Sequence, residues 1–245
     1  MPKTTSKLNP GERADQTRKA ILDAAIREFS AHGLSGARTD AIAESAGANK
    51  ALLYYYFKNK NGLYSAAIQE VSGIVVANAM AALDPAFSAG ERLLRTALSH
   101  FDRIVTQHEF QSLLQQEMVR FHRDESSSIP VMFQVAFKPL LDKLQSAVNE
   151  GIRKRELCKL DALQVMYAIF GANVFYFLSS PMMQLALPFN PFEPSALRLR
   201  REAAVNFLAN ALFVDRAHGA RLAKRVLKQM PMPEIKDFQF RRKHV

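Results

Sequence analysis

The sequence of 245 residues contains a single cysteine, Cys158, and no tryptophan. One cysteine excludes an intrachain disulfide and any zinc site built from several thiolates, and such scarcity is typical of a reducing compartment. Only 10 glycines and 11 prolines are present, and helix-forming residues dominate. Because strand signals are scarce and few residues interrupt helices, we predict an all-α fold.

The signatures of common enzymes are missing as well. The sequence has no G-x-x-x-x-G-K-[ST], no G-x-G-x-x-G, no G-x-S-x-G and no H-E-x-x-H. The six histidines never stand at metal-ligand spacing. His122 with Asp124 and Glu125 is the nearest cluster, and a solvated helix end explains it better than a metal site. We therefore expect a protein that is not an enzyme and that holds neither a metal nor a cofactor.

One long apolar stretch raises the question of a membrane. Asp161 is followed by A-L-Q-V-M-Y-A-I-F-G-A-N-V-F-Y-F-L-S-S, which is long enough to be called a transmembrane helix. Gln164, Gly171 and Asn173 interrupt it, and no second such segment follows. A helix that is apolar on all sides must be buried on both sides in a soluble protein, so a subunit interface is favoured over a membrane. The N-terminus lacks the apolar core of a signal peptide, which predicts a cytoplasmic protein.

Positive charge is concentrated at the two ends of the chain. The net charge is +10, and residues 1–60 carry ten Lys and Arg against six Asp and Glu. Residues 216–245 carry nine against two, whereas residues 61–215 carry 14 against 15. Basic ends around a near-neutral middle favour contact with a polyanion. A role in solubility alone is the alternative.

Residues 38–63 hold the pattern on which the functional interpretation depends. They read R-T-D-A-I-A-E-S-A-G-A-N-K-A-L-L-Y-Y-Y-F-K-N-K-N-G-L. Thr39 is expected to cap a short helix that Gly47 ends, because glycine enters the left-handed conformation without strain. Asn49 is expected to cap a second helix. Two short helices joined by a glycine-containing turn predict a helix-turn-helix unit.

The second of these helices carries a lysine and three consecutive tyrosines, with two more lysines just beyond it. Lysines neutralise phosphates, and tyrosine hydroxyls donate to phosphate oxygens, so this face suits a nucleic-acid groove. An ordinary helical hairpin with solvated charges and core aromatics is the alternative, because bare helix-turn-helix patterns recur by chance.

The longer string T-x-x-I-A-x-x-A-G, followed by L-Y-x-Y-F-K-N-K-x-x-L, resembles the DNA-binding domain of the TetR/AcrR family of transcriptional regulators. The resemblance is close over about residues 15–65 and extends to the remainder only in architecture. Ala51 stands where glycine is commoner, and Asn49 where serine is commoner; asparagine caps a helix equally well. By resemblance, the DNA-contacting positions are Arg38, Thr39, Asn49, Lys50, Tyr54, Tyr55, Tyr56 and Lys60.

The resemblance implies a ligand-responsive repressor that binds double-stranded DNA at a palindromic operator and is released by a small effector. It also implies a three-helix head joined by a connecting helix to a larger helical body for ligand binding and dimerisation. We predict a flexible basic arm at 1–14, a DNA-binding domain at 15–62 and a connecting helix at 63–84. The body is predicted at 85–215 and a basic C-terminal tail at 216–245.

Inside the body, proline and aspartate mark further boundaries. Pro139 predicts a kink or a new helix start near Lys138, because an interior proline removes a hydrogen bond. Asp161 is expected to cap the apolar helix, and the segment from Pro181 to Pro194 is expected to be a loop.

The body is also expected to bind the effector and to form a homodimer. In the family the two final body helices of each subunit pack into a four-helix bundle, and the candidates here are Val174, Val205, Leu208 and Leu212. Flexible and aromatic apolar side chains resemble the lining of family pockets and predict an apolar or amphipathic effector, with one buried amide to orient it. The candidate lining is Phe101, Met118, Phe121, Phe137, Met166, Tyr167, Phe170, Asn173 and Phe177. Ordinary core packing is the alternative for each.

Three other functions stay open at this point. An activator of the same fold would share every feature above. A helical small-molecule carrier would use the apolar cavity but would leave the tyrosine-lysine run unexplained. A membrane-surface adaptor would use the basic residues 216–245, which are spaced as an amphipathic helix.

Overall fold

The computed structural model describes residues 9–186 and 190–235. Over these residues the chain forms α-helices and two π-helical turns, Phe133–Phe137 and Tyr167–Gly171, and no strand. The all-α prediction is confirmed. The helices are α1 Pro10–Gly36, α2 Thr39–Ser45, α3 Lys50–Phe57, α4 Lys60–Ala82, α5 Ala89–Thr106, α6 His108–His122, α7 Ile129–Met132, α8 Lys138–Arg153, α9 Ala162–Met166, α10 Ala172–Ala186, α11 Pro194–Leu212 and α12 Arg216–Gln229.

The helices group into two compact units. The first consists of the described part of Met1–Ile74 together with Glu109–Phe133. The second consists of Val75–His108 together with the described part of Gln134–Val245. Most of α6 thus belongs to the same unit as the helix-turn-helix segment, whereas the sequence assigns it to the body. The limits of the five predicted segments stay predictions.

A capping box fixes the start of α1. Asn9 Oδ1 accepts from Glu12 N at 2.8 Å, and the Glu12 carboxylate accepts from Asn9 N at 2.8 Å. This reciprocal pair, with Pro10 at the first helical position, satisfies the exposed amides of the first turn. Residues 10–14 of the predicted flexible arm are therefore helical, and residues 1–8 lie outside the described residues. Gly33, at φ 70°, interrupts the helix near its C-terminal end.

The helix-turn-helix prediction is confirmed in its main features. Gly47 adopts φ 62° between α2 and α3, and Asn49 caps α3 by accepting from Leu52 N at 2.8 Å. The cap predicted at Thr39 is wrong, because α2 begins at Thr39 and its preceding residue, Arg38, caps without a side-chain hydrogen bond. The two short helices pack against α1. The side chains buried in this unit include Ile21, Ala25, Phe29, Ile42, Ala43, Leu53 and Phe57.

The second unit is built around α5, which packs against α8, α11 and α12. Leu93, Leu94 and Leu98 of α5 are almost completely buried in its apolar core. The basic helix α12 joins the same core through Leu222 and Val226. The first half of the predicted basic tail therefore packs on the chain's own body, while residues 236–245 lie outside the described residues.

Two of the predicted boundaries in this unit are confirmed and one is partly wrong. A new helix, α8, begins at Lys138 just before Pro139, and Asp161 caps α9 by accepting from Gln164 N at 3.0 Å. The helix predicted to end before Pro181 instead continues through it to Ala186. Phe177 and Ser180, which precede the proline, are buried on one face of α10.

Two helical stretches are long and apolar enough, by length and composition alone, to cross a membrane. They are Lys60–Ala82 and the continuous stretch Ala162–Ala186, with mean hydropathies of 1.2 and 1.4. Core and interface helices of soluble proteins pass the same test, so these two stretches are weak evidence for a membrane protein.

Candidate nucleic-acid interface

Helix α3 is anchored by one face and presents the other to solvent. Leu53 and Phe57, four residues apart, are buried at 0% and 5% exposure. Lys50 and Tyr54, also four residues apart, are exposed, and Tyr55 beside them is 79% exposed. Since residues four apart share one side of a helix, the packing fixes α3 so that a basic, phenolic face is available for a partner.

Two side-chain contacts tie α2 to this exposed face. Thr39 Oγ1 lies 3.3 Å from Tyr54 Oη, and Lys50 Nζ lies 2.9 Å from Asp40 Oδ1. The hydrogen bond that Lys50 donates to the Asp40 carboxylate raises the pKa of Lys50, so the ammonium group is charged at neutral pH. The contacts hold Lys50 and Tyr54 in place before any partner arrives. Asp40 was not predicted from the sequence as part of this face, although an acidic residue in the first turn of α2 was visible there.

The remaining predicted contacts flank α3. The side chain of Arg38 is exposed while its backbone N–H donates to Glu28 Oε1 at 3.0 Å. Lys60, the first residue of α4, donates from Nζ to Ser35 O at 3.1 Å. Tyr56 is half-buried, with its ring 5.2 Å from that of Tyr55 in an edge-on arrangement. All eight predicted DNA-contacting residues lie in the first unit and none is buried. Their contact with DNA stays a prediction.

The turn from α3 into α4 requires glycine at one position. A Cβ atom on Gly62 would lie 2.3 Å from Phe57 O, closer than any van der Waals contact. Asn59 caps the start of α4 by accepting from Gly62 N at 2.8 Å. This close approach sets the direction in which α4 leaves the helix-turn-helix segment.

A buried carboxylate joins α4 to α6 inside the first unit. Glu117 is completely buried and accepts from Tyr64 Oη at 2.9 Å, from Arg120 Nη1 at 2.6 Å and from Ser127 Oγ at 3.1 Å. Burial alone raises the pKa of Glu117, but hydrogen bonds from Ser128 N, Tyr64 and Arg120 outweigh it, and the pKa lies below its ordinary value. An ionised Glu117 therefore holds α6 against α4.

The predicted effector residues are divided between the two units. Met118 and Phe121 lie in the first unit and are each 49% exposed. The other seven lie in the second unit, where Phe101 and Phe177 are buried with ring centroids 5.3 Å apart. Phe137, Met166 and Phe170 are half-buried and Tyr167 is exposed. At Phe101 and Phe177 the side chains already form packed core; an effector role for the set stays a prediction.

Asn173 is buried, as the sequence predicts for an orienting amide. Its Nδ2 lies 3.0 Å from Ala97 O and 3.3 Å from His100 Nδ1. Burial, assisted by the charge of Arg103, lowers the pKa of His100 to about 3, so the imidazole is neutral and its Nδ1 can accept. Phe170 contacts the His100 ring edge-on at 4.8 Å. The amide therefore has its partners within the chain.

A cavity of about 320 Å³ lies elsewhere in the second unit. Polar side chains of α4 and α5 line one part of it and the segment after α12 lines the rest, and its lining includes none of the nine predicted effector residues. One lining carboxylate, Asp102, is held by Arg201 at 2.7 and 2.8 Å. The lining residues are Asn78, Ser99, Asp102, Arg103, Thr106, Gln107, Met230, Pro231 and Pro233.

Two family profiles match the chain in succession. The profile for bacterial regulatory proteins of the tetR family matches residues 21–67, which contain α2 and α3. The profile for the C-terminal domain of tetracyclin repressor-like proteins matches residues 90–208. The chain belongs to the TetR family. It is therefore a DNA-binding transcriptional regulator of the helix-turn-helix type.

Individual relatives agree with this assignment. The HTH-type transcriptional repressor NicS of Pseudomonas putida is 27% identical over 173 residues, covering 69% of this chain and 78% of NicS. The HTH-type transcriptional repressor SCO4008 of Streptomyces coelicolor is 43% identical over 56 residues, which is 23% of this chain and 29% of that repressor. The structure of the regulator FadR from Bacillus subtilis in complex with stearoyl-CoA matches with a TM-score of 0.57 at 21% identity, over 77% of this chain and 97% of FadR. At that identity the likeness shows the fold alone.

Three of the four predicted dimer residues lie inside a single subunit of this TetR-family protein. Val205, Leu208 and Leu212 of α11 are 0–4% exposed in the core of the second unit. Val174 is half-buried. Because the three core side chains are covered by their own subunit, they cannot form a contact face with a partner. The structure thus corrects the assignment of these three residues, and the homodimer itself stays a prediction.

The opposite face of α11 and one face of the α9–α10 stretch are apolar and exposed. Arg200 Nη2 of α11 donates to Ala172 O at the start of α10 at 3.0 Å, which joins the two helices. Eight large apolar side chains on them are at least 50% exposed, and their helical spacing was the signal that sequence reasoning missed. They are Leu163, Tyr167, Phe175, Leu178, Met182, Leu185, Leu199 and Phe207.

Possible metal ligands are dispersed. Within residues 9–186 and 190–235, His, Cys, Asp and Glu side chains form no group of three that could hold a metal ion.

Proposed function

We propose that this protein is a homodimeric repressor that binds a palindromic operator and leaves it when its body binds a small effector. The observation that carries the proposal is the exposed face of α3, where Lys50 and Tyr54 are held by α2 and Tyr55 projects into solvent. That face occurs in a chain of the TetR family. A helix of this kind enters the major groove, where base edges carry a distinct pattern of donors and acceptors.

The roles of the individual contacts follow from their chemistry. Lys50, on the exposed face of α3, would read a base edge. Lys60 at the start of α4 and Arg38 before α2 would contact phosphates, which fix the register of the protein but carry no sequence information. Tyr54 and Tyr55 would donate to phosphates or pack on thymine methyl groups.

The exposed apolar face of α9–α10 and α11 supports the homodimer. A monomeric soluble protein rarely shows an apolar patch of more than a few hundred Å². Eight large apolar side chains on these helices are each at least half exposed, and a second copy of the same face would cover them. Two-fold symmetry then places two copies of α3 in successive grooves, which requires an inverted repeat in the operator.

The effector is proposed to be apolar or amphipathic and to bind in the second unit. Phe170, Tyr167 and Met166 supply partly exposed apolar surface there, beside the buried amide of Asn173. An effector lowers operator affinity only if it binds the non-binding conformation more tightly. We further propose that the protein acts in the cytoplasm, without enzymatic activity and without a cofactor.

The proposal is tested by selecting DNA from a random library with the purified full chain, and by mapping bound sites in the genome beginning at its own promoter. We expect an inverted repeat protected on both half-sites. Lys50→Ala should lose the selected sequence, whereas the matched control Lys19→Ala, an exposed lysine of α1 paired with Asp23, should retain it. Selection of no sequence, or of a single half-site by a monomer, would refute the proposal.

A further inference from the structure

The ion pair between Asp40 and Lys50 bridges the two helices of the helix-turn-helix segment at the surface. Lys50 Nζ lies 2.9 Å from Asp40 Oδ1 and 3.2 Å from Oδ2. The two side chains are 48% and 64% exposed. Exposed pairs of this kind add little to folding stability, because solvent screens the charges and the side chains lose conformational freedom. Stability alone therefore does not account for the position of this pair.

The carboxylate of Asp40 stands on a face that also carries basic and phenolic side chains. Lys50, Tyr54 and Tyr55 share this face with it. On DNA an acidic group beside phosphates is repelled, so it is favourable only where it meets a hydrogen-bond donor. The major groove offers such a donor in the 4-amino group of cytosine.

We propose that Lys50 and Asp40 read one G·C base pair in each half-site as a unit, Lys50 donating to guanine O6 and N7 and Asp40 accepting from cytosine N4. The inference rests on the proposed function and names the base pair that this part of the site recognises. Guanine O6 and cytosine N4 are themselves joined by a hydrogen bond of about 2.9 Å. A cation and a carboxylate held 2.9 Å apart present the complementary donor and acceptor at the same spacing.

The order of donors and acceptors gives a ranking of base pairs. G·C presents two acceptors to Lys50 and one donor to Asp40. T·A keeps the central acceptor and donor but replaces the second acceptor by a methyl group, so it ranks second. A·T and C·G place a donor opposite the ammonium and an acceptor opposite the carboxylate, and they rank last. A lysine alone would distinguish these base pairs far less, because its three N–H donors can reach acceptors in many positions.

The pair acts on specificity more than on overall affinity. Its charges cancel, so in non-specific complexes it contributes little to the release of counterions from the phosphates. Replacing Asp40 by alanine frees the Lys50 charge and raises the net charge by one. A control must therefore carry the same charge change away from α3. Asp23→Ala provides it, since Asp23 pairs with Lys19 on α1 at 3.1 Å and is also partly exposed.

The experiment uses the full chain as wild type, Asp40→Ala, Asp40→Asn and Asp23→Ala. The wild type first selects its operator from a random library. Affinities of all four proteins are then measured for that operator and for its three single-pair substitutions at each position. A further operator carries pyrimidin-2-one, which lacks the 4-amino group, in place of the cytosine. Asp40→Asn keeps the shape of the side chain and guards against a defect in folding.

For the wild type we expect G·C first, T·A second and the other two last at one position in each half-site. Asp40→Ala should lose about 5- to 150-fold of the discrimination between G·C and C·G there, the range for one good base contact. Asp40→Asn, which keeps an acceptor oxygen but loses the charge, should lose less. Other positions should keep their preferences. Asp23→Ala should behave as the wild type. Removing the 4-amino group should weaken wild-type binding and leave Asp40→Ala unaffected.

Three results would overturn the assignment. Asp40→Ala could raise affinity for all DNAs by one factor, as a pure charge effect does. The wild type could bind equally with and without the 4-amino group, or Lys50→Ala and Asp40→Ala could alter different positions. If the wild type selects no sequence, the proposed function fails together with this inference. If it selects an operator that the Asp40 variants read unchanged, only the paired reading fails.

Discussion

Phe207 and Leu208 are neighbours on α11, but one faces solvent and the other faces the core. Replacing each by alanine in turn therefore tests dimer affinity and subunit stability separately. Phe207 is 70% exposed, whereas Leu208 is 4% exposed in the core of the second unit. Phe207→Ala should weaken the dimer and leave the subunit folded. Leu208→Ala should destabilise the subunit and leave the contact between folded subunits nearly unchanged.

The magnitudes follow from the areas still open to burial. Full burial of a phenylalanine side chain is worth about 1.5–3 kcal/mol, so the 70% exposed Phe207 has about 1–2 kcal/mol left to gain. In a two-fold symmetric dimer the substitution removes both Phe207 side chains, so the free energy of association weakens by about 2–4 kcal/mol. This corresponds to a dimer dissociation constant raised about 30- to 1,000-fold. Leu208→Ala leaves a cavity in the core and should lower the free energy of unfolding by about 2–5 kcal/mol.

Sedimentation equilibrium over a range of concentrations measures the dimer constant, and urea unfolding measures the stability. Unfolding is compared at one protein concentration, because dissociation and unfolding are linked in a dimer. Far-UV circular dichroism of Phe207→Ala should match the wild type. The placement of the interface would be refuted if Phe207→Ala left the dimer dissociation constant unchanged. It would also be refuted if Leu208→Ala abolished the dimer while the subunit stayed fully stable.

Four further outcomes are expected. Lys50→Ala should lose about 5- to 150-fold in affinity for the operator and much less for random DNA, measured by competition binding; equal losses would make Lys50 a phosphate contact. Lys60→Ala should weaken binding to all sequences alike and reduce the slope of log affinity against log salt by about one, whereas Lys19→Ala should leave the slope unchanged. Glu117→Ala should lower the free energy of unfolding at pH 7 by about 1–3 kcal/mol, because the buried hydroxyl of Tyr64 loses its acceptor. Because the pKa of Glu117 is lower in the folded state, its contribution is present above the ordinary glutamate value of about 4.3 and is lost as the pH falls through the lowered pKa, which urea titrations at several pH values will show. Phe170→Ala should keep operator binding without effector and lose the response to effector, and loss of operator binding would place Phe170 in the core instead.

The helix-turn-helix segment could be predicted because its signals are local. Gly47 must adopt a left-handed conformation and Asn49 must cap α3, and each requirement depends on a few neighbouring residues. Side-chain contacts between α2 and α3 have no comparable local signal in the sequence. Thr39 bonds to Tyr54 instead of capping α2, and Asp40 pairs with a lysine ten residues away. Both depend on the crossing of α2 and α3, which periodicity does not specify.

Three side chains predicted for a dimer interface are core residues instead, for a related reason. Helix α11 has two apolar stripes, one through Val205 and Leu208 and the other through Leu199 and Phe207. Periodicity identifies both stripes but does not say which one meets α5 and α12 of the same chain. The packing of α12 decides this, because it completes the core on the Leu208 side and leaves Phe207 uncovered.

Buried charges were the least predictable feature. A charged residue in a helical pattern is normally assigned to solvent, yet Glu117 and Arg201 are almost completely buried. Each is held by partners far along the chain: Tyr64 donates to Glu117, and Asp102 accepts from Arg201. Only the tertiary fold brings such partners together, and without them burial would cost too much.

The packed state of the aromatic cluster bears on how an effector could act. Phe101 and Phe177 are in contact, and Phe192 stacks on Phe177 at 6.4 Å. An apolar effector that inserts among these rings must separate them, so it binds only a conformation in which the body has opened. A ligand changes an equilibrium only by its difference in affinity between two conformations. A site that is closed in one conformation and open in the other provides a large difference, since the closed state offers the effector no room at all. Where an apolar effector enters this cluster, its binding is therefore coupled to the separation of these rings.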